Sequence, residues 1–135
     1  MQPQKRHWSR RLALQALYQW QLTGHRIDEL LEQYVEDDNW NKVDKDYFVE
    51  LVSESINQKQ ELTKIFIPYL DFEVENIDPI EYAILLFATY EIMHKPETPT
   101  KVILSEAIKL CKKFGSIDGY KFINGVLDKV ALLRT

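Results

Sequence analysis

The feature that most constrains the fold is a nearly continuous apolar stretch at residues 78–93 of this 135-residue chain. Asp78 is suited to cap a helix, Pro79 to its first position, and Glu81 to its first turn. The residues that follow are apolar on every side of a helix, whereas a surface helix has a single apolar stripe. The stretch is too short for a membrane span and also carries Glu91. It therefore predicts a central helix that neighbouring helices bury on all sides.

Apolar residues at spacings of three and four predict further helices on both sides of this central one. No stretch shows the alternation that is typical of a strand, and residues 70–77, which lack a clear period, are expected to link two halves of the chain. The predicted fold class is all-α, with about seven helices in a single domain over residues 1–135. The other expected helices span residues 9–22 and 27–35, begin near Asp44, and surround Leu62 up to an interruption at Pro68. The last two are expected to begin at Thr98–Pro99 and at Ser116, which is suited to cap the final helix.

Charge is distributed unevenly along a chain whose net charge is −4. Residues 1–27 hold five Lys or Arg and no acid, residues 28–99 carry a net charge of −13, and residues 100–135 carry a net charge of +4. If the two basic ends meet in the fold, they form a positive patch on an acidic body, which suits a polyanion that docks locally. The alternative is that these charges are ordinary solvated helix faces.

The sequence lacks the motifs of common catalytic and metal sites. We find no phosphate-binding glycine loop, no zinc-type cluster of Cys and His, and no nucleophile elbow. The single cysteine, Cys111, lies on the apolar stripe of its helix, which predicts a small core residue and fits a reducing compartment. No secretory signal is apparent. We therefore expect a cytoplasmic protein that is not an enzyme, needs no cofactor or metal, and does not enter a membrane.

Two aromatic residues lie off the apolar stripes of their helices. Tyr18 shares a face with Arg11 and Leu14, roughly opposite the buried stripe of the first helix. Phe122 lies about 90° from the stripe of the last helix, beside Lys121. An exposed aromatic ring beside cations can stack on an unpaired base. The alternative is a rim residue that a neighbouring helix covers, and periodicity alone leaves both open.

A specific block, Lys-Phe-Ile-Asn-Gly-Val-Leu-Asp, stands at residues 121–128 near the end of the chain. Shorter blocks precede it: Ala13 with Gln-Ala-Leu-Tyr at 15–18, Tyr-Glu at 90–91, Ser-Glu-Ala-Ile at 105–108 and Lys-Phe-Gly at 113–115. Together these blocks resemble those of the bacterial NusB family of transcription antitermination factors. They follow the order they have in that family and span nearly the whole chain.

The resemblance implies two three-helix halves around the buried central helix, behind a basic N-terminal arm, and an RNA-binding role without catalysis. Members of this family pair with NusE, a ribosomal protein of the small subunit. The pair binds the boxA element of nascent RNA and supports RNA polymerase within an antitermination complex on ribosomal RNA operons. Carried over to this sequence, the implied RNA-binding residues are Lys5, Arg6, His7, Arg10, Tyr69, Lys121, Phe122 and Asn124, and the implied NusE-binding residues are Tyr18, Glu75, Glu81 and Asp118.

This chain departs from the family pattern in the arm and at two further positions. His7, Trp8 and Ser9 interrupt what is often a denser run of arginines, which predicts a weaker grip on phosphates. Leu86 and Ser105 stand where the family often has an arginine and an asparagine. We interpret Glu81 as an exposed residue in the first turn of an otherwise buried helix.

Two alternatives stay open beside RNA binding with NusE. One is a helical adaptor whose basic ends dock an acidic protein and that binds no RNA. The other is a relative of the RNA-binding domain that occurs fused to ribosomal RNA methyltransferases. Against the latter, the sequence shows no glycine-rich cofactor loop, so we expect no methyltransferase domain.

Overall fold

The computed structural model describes residues 3–134, and these form seven α-helices and no strand. The predicted all-α class is confirmed. Within residues 3–134, every helix is either too short or too polar to cross a membrane. The helices are α1 (Pro3–Thr23), α2 (Ile27–Val35), α3 (Lys45–Asn57), α4 (Lys59–Phe66), α5 (Pro79–His94), α6 (Thr100–Phe114) and α7 (Gly119–Ala131), with short 3₁₀ helices at Trp40–Lys42, Ile67–Tyr69 and Val74–Asn76.

The chain divides into two compact units, and the division falls between Asn57 and Gln58. The first unit contains α1, α2 and α3, and the second contains α4 to α7, so the central helix belongs to the second unit. The prediction that residues 70–77 link the two halves is wrong, because they lie within the second unit. The boundary escapes sequence analysis since α3 and α4 are separated by Gln58 alone, with no Gly or Pro to mark a turn.

In the first unit, α1 packs against α2 and α3, and it begins at Pro3 instead of the predicted residue 9. The basic arm is therefore helical. The Ser9 hydroxyl oxygen accepts a hydrogen bond from the Asp44 amide (3.0 Å), and its single hydrogen can be donated to the carbonyl oxygen of Lys5 (2.8 Å) or of Asp44 (3.0 Å). These bonds hold the first turns of α1 against the start of α3, a tertiary contact that local sequence does not reveal.

In the second unit, α5 has the start that the sequence predicts. Asp78 Oδ1 accepts hydrogen bonds from the amides of Ile80 (2.8 Å) and Glu81 (3.3 Å), and Pro79 is the first helical residue. Every residue from 83 to 92 is buried, and α4, α6 and α7 all pack against this helix. The predicted central helix is thus confirmed.

The opposite end of α5 is held by Arg134, which follows α7. Its guanidinium donates four hydrogen bonds to carbonyl oxygens, those of Glu91 (3.2 Å), Ile92 (2.9 Å), Lys95 (3.1 Å) and Thr98 (2.7 Å). The last carbonyls of a helix have no partner within it and carry partial negative charge. A cation placed there therefore complements their partial charge and stabilises the helix terminus.

The last two helices begin later than predicted. Thr98 is buried and Pro99 is the N-cap of α6, so the helix itself starts at Thr100. The prediction that Ser116 caps α7 is wrong, because Asp118 occupies the N-cap position. The Ser116 hydroxyl instead donates a hydrogen bond to Glu81.

Cys111 is buried in the core of the second unit, as predicted. Burial, with smaller contributions from the nearby carboxylates of Glu81 and Asp78, raises the pKa of its thiol to about 12. The thiol therefore stays protonated at neutral pH and has the inert character of a structural cysteine. Within residues 3–134, no three His, Cys, Asp or Glu side chains come together in a way that could hold a metal ion.

Candidate nucleic-acid interface

The basic start of α1 contacts aromatic side chains of the first unit. Arg6 Cζ lies 4.1 Å from the centre of the Tyr47 ring in α3. Trp8 has two cationic neighbours, with Arg11 Cζ at 4.8 Å and Lys42 Nζ at 4.4 Å from its ring centre. We call Arg6, Trp8, Arg11, Lys42 and Tyr47 the N-terminal cluster. A cation held over an aromatic ring keeps its charge. Because the ring already restrains the side chain, little further mobility is lost when it binds an anion.

The four arm residues that the resemblance implies for RNA do not share one environment. Lys5 is exposed, and Arg6 and His7 are half-buried. Arg10 is only 3% exposed, and its Cζ lies 5.8 Å from the Tyr47 ring centre. It lies one turn after Arg6, on the side of α1 that faces α3. The structure therefore places Arg10 inside the unit, in conflict with a direct contact to phosphate.

A second aromatic and basic group lies in the second unit. The ring of Phe122 packs against that of Phe72, with ring centres 5.2 Å apart and a tilt of 40°. Phe122 is half-buried, which agrees with its position off the apolar stripe, and Phe72 is 43% exposed. Tyr69 and Asn124, also implied for RNA, are half-buried. We call Phe72, Lys121 and Phe122 the α7 cluster.

The charge in the α7 cluster comes from Lys121. Its Nζ lies 3.5 Å from Asp118 Oδ1, and both side chains are largely exposed. An ion pair of this kind contributes little to stability and is easily exchanged for another anion. Lys121 is therefore available to a phosphate at small cost.

Three of the four residues implied for NusE binding are accessible. Tyr18 is 37% exposed on α1, although Leu14, placed on the same face by the sequence analysis, is buried. Glu75 lies exposed in the 3₁₀ helix Val74–Asn76, and Asp118 is exposed just before α7. The expectation that Glu81 is exposed is wrong, since its exposed fraction is 5%.

Glu81 is buried because it binds the turn between α6 and α7. Its Oε2 accepts hydrogen bonds from the Ser116 amide (3.0 Å) and the Ser116 hydroxyl (2.7 Å). Gly119 makes room for this carboxylate, because a Cβ atom there would overlap Glu81 Oε2 and lie 2.7 Å from Glu81 Cδ. The first turn of α5 thus holds the turn that carries Asp118.

Comparison with known proteins now decides the family. The model of the NusB family matches residues 7–132, almost the whole chain. The chain belongs to the NusB family. A transcription antitermination protein NusB of Pseudomonas savastanoi pv. phaseolicola is 42% identical over 94% of this chain and 77% of its own length. The NusB protein of Shewanella loihica is 40% identical over 96% of this chain and 97% of its own.

Solved structures agree with this assignment. A crystal structure of antitermination factors NusB and NusE in complex with double-stranded RNA contains a chain that is 25% identical to this one. Its TM-score is 0.86, and the match covers 96% of this chain and 97% of that chain. The NusB fold is therefore present over nearly the full sequence.

Several residues of the two clusters in this NusB-family chain are not predicted from its sequence. The sequence predicts Trp8 as an interruption of the arm. Its spacing of three from Arg11 nevertheless places both residues on one helix face, and this spacing is the signal that predicts their contact. Lys42, Tyr47 and Phe72 come from other segments, and nothing in the local sequence connects them to the arm or to Phe122.

Proposed function

We propose that this chain is a cytoplasmic transcription antitermination factor that binds boxA-type RNA together with NusE. Through this pair it would support RNA polymerase in an antitermination complex on ribosomal RNA operons, without catalysis. The observation that carries the proposal is the near-full-length relationship to transcription antitermination proteins named NusB. The aromatic and basic clusters add the chemistry that single-stranded RNA requires.

In the first unit, the proposed phosphate contacts are Lys5, Arg6 and His7, joined by Arg11 and Lys42 of the N-terminal cluster. Electrostatic attraction to phosphates supplies most of the sequence-independent affinity for RNA and falls as salt rises. Arg10 is proposed to support this surface from beneath, through its approach to the Tyr47 ring.

In the second unit, the α7 cluster is proposed to contact unpaired bases. The Phe122 ring offers a face for stacking, and Phe72 holds its orientation through their 5.2 Å ring contact. Tyr69 would add a second ring, and Asn124 carries both donors and acceptors for a base edge. Lys121 would bind a phosphate beside the stacked base.

The phosphate contacts are tested by the salt dependence of RNA binding. Lys5→Ala and Lys121→Ala are each expected to make the slope of log affinity against log salt less negative by about 0.7, since each removes one phosphate contact on a single strand. Fluorescence anisotropy with labelled boxA RNA over a series of salt concentrations measures this slope. Lys64→Ala, an exposed lysine of α4 outside both clusters, is the control and should leave the slope unchanged. Unchanged slopes in all three variants would remove Lys5 and Lys121 from the interface.

For the protein partner, Tyr18, Glu75 and Asp118 are proposed to contact NusE directly. Glu81 is proposed to act indirectly, by holding in place the turn that carries Asp118. Exposed acidic side chains suit a basic ribosomal protein, since complementary charge speeds encounter and fixes the register of the complex.

Glu75→Lys is expected to weaken NusE binding by about threefold to tenfold, mainly through a slower association rate. Glu75 is exposed, so the change should not affect folding. Surface plasmon resonance with immobilised NusE separates the two rate constants. Glu32→Lys, the same charge reversal at an exposed position of α2, is the matched control. An equal loss in both variants would show that only net charge matters and that Glu75 is not in the interface.

A further inference from the structure

An open groove runs along the outer surface of the α6–α7 pair, outside both clusters described above. Its volume is about 700 Å³, and it is lined by the outward face of α6 and by the last residues of α7. Leu104 and Ile108 of α6 form its floor and are half-buried. Leu132, just after α7, lies at its edge with 83% of its surface exposed. Leu104 and Ile108 are one helical turn apart, and with Leu132 they leave apolar surface uncovered along the groove.

The rim of the groove is basic. Lys101 stands at one end of the lined stretch of α6, and Lys109 and Lys112 stand at the other. Asp128 of α7 is the one acidic residue in the lining. Glu106 is nearby, with Oε2 at 3.9 Å from Lys109 Nζ, but it is largely buried while Lys109 is exposed. The groove thus presents a net positive rim around an apolar floor.

The dimensions and the chemistry point to one kind of ligand. Lys101 and Lys112 are eleven residues apart in α6, so the lined stretch is roughly 16 Å long, about three helical turns. The lining itself contains no aromatic ring, and a neighbouring one, that of Tyr120, lies under Lys112 with its ring centre 4.7 Å from Lys112 Nζ. The aliphatic floor therefore suits an apolar stripe better than a stacked base. An amphipathic helix places an apolar stripe on such a floor, and acidic residues beside that stripe would meet the lysines.

We propose that the α6–α7 groove docks an acidic amphipathic helix of a further protein partner. Leucine-like side chains of that helix at spacings of three and four would cover Leu104, Ile108 and Leu132. Its carboxylates would pair with Lys101 at one end and with Lys109 and Lys112 at the other. This surface is additional to the proposed RNA and NusE contacts and does not depend on them.

The test uses the full chain and a fluorescein-labelled synthetic peptide of about 14 residues, long enough for the groove. The peptide has leucines at spacings of three and four with glutamates flanking them, and a second peptide of equal composition has the leucines scattered. Leu132→Glu and the double variant K101E/K112E alter the floor and the rim. Their matched controls are Leu22→Glu, at an exposed leucine of α1, and K64E/K129E, at exposed lysines outside the lining.

Wild-type protein is expected to bind the patterned peptide, and both groove variants to weaken that binding by about tenfold or more. The two controls should bind like the wild type, and the scattered peptide should bind more weakly. Circular dichroism melts confirm that each variant is folded, which the exposure of Leu132 favours.

Absence of peptide binding to the wild type would overturn the proposal. Equal losses in the groove variants and their controls, or equal binding of both peptides, would also overturn it by showing nonspecific charge attraction. If Leu132→Glu instead weakens binding of boxA RNA or of NusE, the groove belongs to one of those interfaces. Failure of the proposed RNA function alone would leave the peptide result intact, so the two proposals can fail separately.

Discussion

Gly119→Ala is expected to lower the free energy of unfolding by about 2–4 kcal/mol. The added methyl group would overlap Glu81 Oε2 and lie 2.8 Å from the Ser116 hydroxyl. The buried carboxylate must then move away from Ser116 and lose the two hydrogen bonds that it accepts there. A buried charge that loses its partners is costly, and the atoms next to it are already closely packed.

Urea denaturation followed by circular dichroism measures this loss. Gly125→Ala is a matched control in the same helix, because a Cβ atom at Gly125 meets nothing within 4 Å. That change should raise the free energy of unfolding by about 0.5–1 kcal/mol, the usual gain from replacing a helical glycine by alanine. Equal effects of the two substitutions would contradict the assigned role of Glu81.

Phe122→Ala is expected to weaken binding of boxA RNA by about tenfold, the loss for one aromatic ring that stacks on a base. The same variant should bind NusE normally, because Phe122 is not among the residues proposed for that contact. Removal of the ring also frees Phe72, whose ring centre lies 5.2 Å away, so the second aromatic loses its support.

Anisotropy titrations with labelled RNA and a pull-down with NusE check the two parts of this prediction. Phe122→Leu separates stacking from packing, because leucine fills much of the space beside Phe72 but has no aromatic face. We expect Phe122→Leu to be folded and to bind RNA nearly as weakly as Phe122→Ala. Full RNA affinity in Phe122→Leu would show that the residue acts by packing alone.

The elements that the sequence predicts best are those whose causes are local. The cap at Asp78, the proline after it and the apolar residues around the whole helix predict α5, and the stripe from Ile27 predicts α2. The start of α1 was predicted too late because the bonds of Ser9 to Asp44 come from a segment 35 residues away. Ser116 is wrongly predicted as a helix cap for the same reason, because its hydroxyl bonds to Glu81, which is also 35 residues away.

In the candidate site too, contacts between segments distant in sequence are the part that the sequence does not predict. The family resemblance supplied its residues, and their identity alone did not reveal burial. The resemblance implies an RNA contact for Arg10, and Glu81 is predicted to be exposed, yet both are buried. Arg10 lies beside Tyr47, and Glu81 is hydrogen-bonded to Ser116. Phe72 was not predicted, because only the folded chain brings it to Phe122. The joint positive patch from the two basic chain ends stays a prediction.

The central claim is that this NusB-family chain binds boxA RNA together with NusE. Its most direct test is a titration of labelled boxA RNA with the protein, with and without NusE, at two salt concentrations. We expect tighter binding when NusE is present, because a second protein extends the surface, and weaker binding at the higher salt. Binding of NusE with no RNA bound under any of these conditions would contradict the claim and leave a protein adaptor.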